Sequence, residues 1–193
     1  FVGWGVAVAC AGAVQAATLL VETETFADKG GWVVDQQFMD QMGSPFLMAH
    51  GLGTPVADAS TTVEVPESGT YRVLARTRNW AALWTQKDAP GKFKINVNGA
   101  PLPAVLGTHG NEWAWQEAGH VRLEKGPARL VLHDLTGFNG RCDALILTTD
   151  AGFTPENEVS KLESYRRSVG AIKASQRTEA VDLIIAGGGI PGV

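Results

Sequence analysis

Cysteine is almost missing from this 193-residue chain: Cys10 and Cys142 are the only two. A disulfide framework is therefore excluded, and no Cys/His spacing of the zinc type occurs. Basic runs are absent as well. With Lys+Arg at 16 against Asp+Glu at 20, and a formal net charge of −4, there is no electrostatic footprint for a phosphate backbone or an anionic membrane surface. No nucleic-acid partner is expected on that ground. The chain has no P-loop and no nucleophile elbow. Its four histidines, His50, His109, His120 and His133, are scattered, and His133 and Asp134 fall on opposite faces of any strand that carries both. No acid–base pair follows from them.

Long hydrophobic runs are also missing. Phe1 to Ala17 carries no charge and consists mainly of Ala, Val and Gly. It is shorter than the roughly 20 residues of a membrane span. Its end, Val14-Gln15-Ala16-Ala17, places small residues where a signal peptidase needs them. Residues 1–17 are expected to be the remainder of an export signal without its basic n-region, and the protein to be periplasmic or extracellular. Cys10 would leave with the signal, and Cys142 would remain as a small buried hydrophobe.

What is present is a series of short strands. Thr61 to Val65 alternates, Pro66-Glu67-Ser68-Gly69 is a turn, and Thr70 to Thr77 alternates again. This predicts a hairpin with Tyr71, Val73 and Ala75 inward and a wetter face bearing Arg72, Leu74 and Arg76. Lys92 to Val97 puts Phe93, Ile95 and Val97 inward, and Asn98-Gly99 is a strong hairpin turn. Val121 and Leu123, the turn Glu124-Lys125-Gly126 and Arg129 to His133 predict a further hairpin, and Ala144 to Thr149 a last strand. Many strands without intervening helices point to an antiparallel β-sandwich or jelly roll over residues 18–150.

After Asp150 the texture changes. Thr154-Pro155-Glu156 predicts a helix start, and the polar run through Arg166-Arg167 ends near Gly170. Residues 151–180 are read as helix and linker. Val181 to Ala186 is a buried-strand pattern leading into Gly187-Gly188-Gly189-Ile190-Pro191-Gly192. Gly187 suits the tight turn, Gly189 the approach to a pyrophosphate and Gly192 the packing of a following helix. Residues 181–193 are expected to open a Rossmann-type nucleotide-binding domain.

The segments Gly30 to Asp40, Gly43-Ser44-Pro45, Leu132 to Phe138 and Arg141-Cys142-Asp143, with the terminal glycine motif, resemble exported bacterial FAD-dependent oxidoreductases. The resemblance runs from about Val21 onward. It implies a galactose-binding-like β-sandwich, similar to a carbohydrate-binding module, ahead of a flavin domain. It also implies FAD as the cofactor of a parent enzyme acting on a small-molecule or glycan substrate. This piece is not expected to be active alone, and its catalytic residues are unknown. A cofactor loaded in the cytoplasm would favour an export route for folded proteins, with which the Ala/Gly-rich segment is compatible.

Two candidate sites lie in the sandwich. Trp32, Trp80 and Trp84 offer planes for a sugar ring, with Trp80 and Trp84 in a loop. Trp113 and Trp115 share a strand face and fit ordinary core. The aromatic loops could equally be covered by docking of the sandwich on the flavin domain. Glu22 and Glu24 point the same way on the first strand and Asp143 precedes the last. These carboxylates either are simply solvated or gather around Ca²⁺, as in the structural calcium site of some carbohydrate-binding sandwiches.

Overall fold

The computed structural model describes residues 16–84 and 89–169. The expected export signal up to residue 15, the linker after residue 169 and the glycine motif at Gly187, Gly189 and Gly192 lie outside the described residues. The strands are β1 (Thr18–Glu22), β2 (Trp32–Asp35), β3 (Phe46–His50), β4 (Ala59–Val65), β5 (Gly69–Thr77), β6 (Phe93–Val97), β7 (Ala100–Pro101), β8 (Ala114–Leu123), β9 (Gly126–Asp134) and β10 (Phe138–Thr148). Two helices, α1 (Met39–Met42) and α2 (Val159–Ser168), complete the elements with a 3-10 turn at Thr23–Thr25. None of the described helices is long and apolar enough to cross a membrane.

The strands form an antiparallel β-sandwich. One sheet runs β2-β3-β10-β5-β8, with β1 joined to the later half of β10, and the other runs β4-β9-β6-β7. Alternation places Tyr71, Val73 and Ala75 of β5 and Phe93, Ile95 and Val97 of β6 in one core between the sheets, as expected. Leu130, Leu132, Leu145, Leu147 and Cys142 fill the same layer. Cys142 is fully buried and unpaired among the described residues. The Asn98-Gly99 turn joins β6 to β7 with both residues at positive φ, 49° and 84°, the signature of a primed turn.

Two expected hairpins are not hairpins. β4 pairs with β9, whereas β5 pairs with β8 and β10, so the turn at 66–68 carries the chain from one sheet to the other. The turn at 124–125 does the same between β8 and β9. Alternation and turn chemistry are local, whereas partner choice depends on which arrangement covers both inner faces.

The outer face of the larger sheet is covered rather than wet. Met42, Phe46, Met48 and Trp113 form a second small core there, with Phe38 against it, and Leu162 of α2 is fully buried. Arg76, expected on the wetter side, is 2% exposed. The segment before α2 explains part of this. Glu156 O accepts from Trp115 Nε1 at 2.9 Å, Asn157 Oδ1 accepts from Arg76 Nε at 2.9 Å, and Asn157 Nδ2 donates to Trp113 O at 2.7 Å. These bonds hold residues 156–157 as a strap against β8. The helix therefore starts at Val159 instead of after Thr154, because the strap's groups are committed to side chains of the sheet.

Candidate functional site

The loop after β5 is built by its own hydrogen bonds. Asn79, 6% exposed, accepts from Ala81 N through Oδ1 and from Ala82 N through its carbonyl, and Trp84 N donates to Ala81 O. These turns bring Trp80 and Trp84 to within 6.1 Å of each other, centroid to centroid. Trp80 stacks on Phe138 at 5.8 Å and 19°, and its Nε1 donates to Phe138 O at 3.0 Å.

Phe138 is placed in turn by buried Asp134, whose carboxylate accepts from the amides of Val56, Thr136 and Gly137. Gly137 sits at φ 62°, and a Cβ there would come within 1.8 Å of Thr54 O, so only glycine fits. The outcome is an aromatic platform whose outermost members are exposed: Trp84 at 75% and Phe138 at 43%. Two arginines continue it inward. The Arg141 guanidinium lies 5.5 Å from the Trp80 ring and 6.0 Å from Phe38, and that of Arg78 lies 5.0 Å from Phe38 and 5.9 Å from Trp113.

The three tryptophans read as sugar platforms thus separate. Trp80 and Trp84 stand together in the exposed loop. Trp32 does not join them: it is 3% exposed and packs edge-on against Phe93 at 5.7 Å inside the sandwich. β2 turns its first residue inward and leaves Val33 and Val34 outside, so Trp32 has no face for a ligand. Trp113 is core, as expected for that pair, while Trp115 is half-buried against the strap. Phe138, Arg78 and Arg141 were missed because nothing local marks them; their proximity follows from strand pairing. Two open grooves, of about 310 Å³ between β1 and β4 and about 440 Å³ beside Trp113 and Asn157, do not include Trp80 or Trp84.

Of the three carboxylates read as calcium ligands, Glu22 and Asp143 meet arginine instead, and Glu24 lies past the end of β1, in the 3-10 turn Thr23–Thr25, rather than on the first strand. Arg166 of α2, fully buried, donates through Nε to Glu22 Oε1 at 2.5 Å and through Nη2 to Glu22 Oε2 at 3.2 Å and to Asp143 at 3.1 and 3.0 Å. Its Nη1 donates to Met42 O. Arg76 adds a 2.9 Å bond to Asp143 Oδ2, and Ser44 Oγ donates to Asp143 Oδ1 at 3.0 Å. Glu22 and Asp143 are therefore brought together as foreseen, but around a guanidinium. Their oxygens are committed to guanidinium N–H and hydroxyl donors and do not fit a calcium shell, which needs six to eight oxygens directed at one point. No metal-holding group of three or more His, Cys, Asp or Glu stands among the described residues. Leu162 and Arg166, four apart and both buried, were the available signal for this inward helix face.

Three carboxylates face two guanidiniums in this cluster, so one proton neutralises it. Burial pushes Glu22 up to about 7 in spite of Arg166. Burial and the neighbouring Glu22 charge push Glu24 up to about 8, and Glu24 Oε2 is enclosed without a partner among the described residues. Glu22 and Glu24, both raised, thus share a proton at neutral pH. An ordinary glutamate titrates near 4.5, so between about 4.5 and 8 the folded protein holds more protons than the unfolded chain. Stability then falls as pH rises through that window. Denaturant midpoints at pH 5, 7 and 9 are expected to decrease in that order, and Glu24→Gln to flatten the decrease. A parent profile that is level from pH 5 to 9 would contradict the buried proton.

No protein-family model matches the chain, and no curated protein matches it. Solved structures do. The chain superposes on the Podospora anserina GH26-CBM35 β-(1,4)-mannanase with a TM-score of 0.55 at 17% identity, over 72% of this chain and 29% of that one. It superposes on a family 35 carbohydrate binding module from Clostridium thermocellum with a TM-score of 0.53 at 15% identity, over 68% of this chain and 97% of the module. The chain thus spans less than a third of the mannanase's length. At these identities the likeness is one of fold: a β-sandwich of the carbohydrate-binding-module kind.

Proposed function

We propose that the sandwich is a noncatalytic carbohydrate-binding module that takes a sugar ring on Trp80, Trp84 and Phe138. One observation carries this reading: Trp84 is 75% exposed beside a Trp80–Phe138 stack that is itself held by hydrogen bonds. Leaving a large aromatic in water costs apolar burial, and holding it rigidly removes most of the ordering cost of binding. The C–H face of a sugar fits such a plane, and a flat platform suits an extended chain better than a closed pocket does. The fold shared with carbohydrate-binding modules points the same way.

The test is retardation in native gels containing soluble polysaccharides, followed by calorimetry on whichever is retained. Trp84→Ala is expected to cost about 2 kcal/mol, or roughly thirtyfold in affinity, as for a central aromatic contact. Its melting temperature should match the parent's, since the side chain packs on little. Equal affinity of parent and Trp84→Ala, or no retention by any polysaccharide, would overturn the reading.

A second reading, that this module serves an exported FAD-dependent oxidoreductase and docks on its flavin domain, rests on the Val181 to Gly192 pattern in the sequence. The visible absorption spectrum of a chain extended past Val193 tests it: flavin bands that Gly187→Val and Gly189→Val abolish would support the parent enzyme.

A further inference from the structure

We propose that the platform selects sugars bearing an oxyanion, a carboxylate or a sulfate ester, and that Arg78 and Arg141 hold that group. This rests on the glycan-binding reading and names the class of glycan.

Cys142 of β10 pairs with Thr77 of β5, so continuing the antiparallel pair outward sets Arg141 opposite Arg78. Like charges directly opposite on neighbouring strands repel, and such a pair is normally relieved by a counter-ion. The other arginines on this face have one. Arg72 pairs with Glu117 at 3.3 Å, Arg76 with Asp143, and Arg166 with Glu22 and Asp143.

Arg78 and Arg141 have none among the described residues. Every ion pair within 4.0 Å there is made by other side chains. Asp35 and Glu112, the carboxylates that act on them from farther away, accept instead from Gln37 N and Asn111 Nδ2. The Nε atoms of both arginines are enclosed without partners, and the hydrogen bond of Arg141 is one of 3.4 Å to Asn139 O.

Burial makes two neighbouring positive charges expensive. Arg141 is 8% exposed, and burial with the Arg78 charge beside it pulls its guanidinium down to about 10; burial lowers Arg78 too. Both cations lie against the Phe38 ring, and Arg141 also lies against Trp80. An oxyanion meeting them would therefore belong to a ring stacked on Trp80. The planar guanidinium fork matches carboxylate and sulfate oxygens two at a time, which an ammonium does not. Half-buried Arg78 forms the open side of this site.

Calorimetry at 50 mM salt with oligogalacturonates, sulfated galactan oligosaccharides and neutral mannan and xylan oligosaccharides tests this. The proposal expects a charged glycan to bind at least tenfold tighter than the neutral ones, with the carboxylated and sulfated arms showing which oxyanion is preferred. Arg78→Gln and Arg141→Gln should each remove most of that preference, weakening charged glycans at least tenfold more than neutral ones. Arg78→Lys should recover part of it if Arg78→Gln changes the fold, and melting curves report on that. Trp84→Ala should weaken charged and neutral glycans alike. An equal affinity for charged and neutral glycans, or a preference that survives Arg78→Gln and Arg141→Gln in folded protein, overturns the oxyanion site but leaves the module reading standing. Failure of every glycan to bind overturns both.

Discussion

Arg166→Met is expected to destabilise the protein by about 3–5 kcal/mol, the usual cost of removing one partner from a buried ion pair. Two carboxylates lose their donors together: Glu22 its bidentate partner, and Asp143, fully buried, one of its two arginines. Met42 O, which accepts from Arg166 Nη1, is left without that bond, so α1 loosens with α2. Urea unfolding of parent and variant measures the loss, and amide exchange over residues 159–168 should show α2 opening ahead of the strands. Arg166→Lys should recover little, because one ammonium cannot serve Glu22, Asp143 and Met42 at once. Calcium and chelator are expected to leave the midpoint of the parent unmoved. A midpoint that rises with millimolar calcium, or an Arg166→Met protein as stable as the parent, would return the cluster to the role of a metal site.

Trp32→Ala should cost a similar amount, about 3–5 kcal/mol, through the cavity left between the sheets. The indole is 3% exposed and meets Phe93 edge-on, and its Nε1 has no partner among the described residues, so its contribution is packing. Trp84→Ala, by contrast, should lie within about 0.5 kcal/mol of the parent, as exposed substitutions do. Thermal unfolding of the two variants side by side decides the matter. Equal losses would place Trp84 in the fold's core or return Trp32 to its surface, and the separation of the two roles would fail.

Much of the sandwich was legible in the chain. Strand alternation in Thr70 to Thr77 and Lys92 to Val97 assigned inward residues correctly, because burial of one face imposes a period of two whichever strand lies alongside. The Asn98-Gly99 turn was legible because positive φ at both positions is a property of those two residues. The loop position of Trp80 and Trp84 followed from their place after a strand. The nearness of Glu22 and Asp143 was legible from the first and last strands, since β1 and β10 run side by side with Glu22 opposite Ala144, but the arginine between them was not.

The rest depended on distant segments. The turns at 66–68 and 124–125 look like hairpin turns, yet each crosses between sheets, a choice made by the whole core. Nothing local in Trp32 shows that its strand turns it inward to pack on Phe93. The outer side of β5 reads as wet from its arginines, but α2 and the strap at 156–157 cover it, and Asn157 of the strap and Asp143 of β10 give Arg76 its partners. The chain by itself determined which residues turn inward and where it bends, for those are matters of side-chain period and backbone φ. Tertiary structure alone decided that Arg166 occupies the space between Glu22 and Asp143 and that Arg78 and Arg141 face each other. Charge compensation in a low-dielectric interior depends on distances between residues far apart in the chain, and only folding sets those distances.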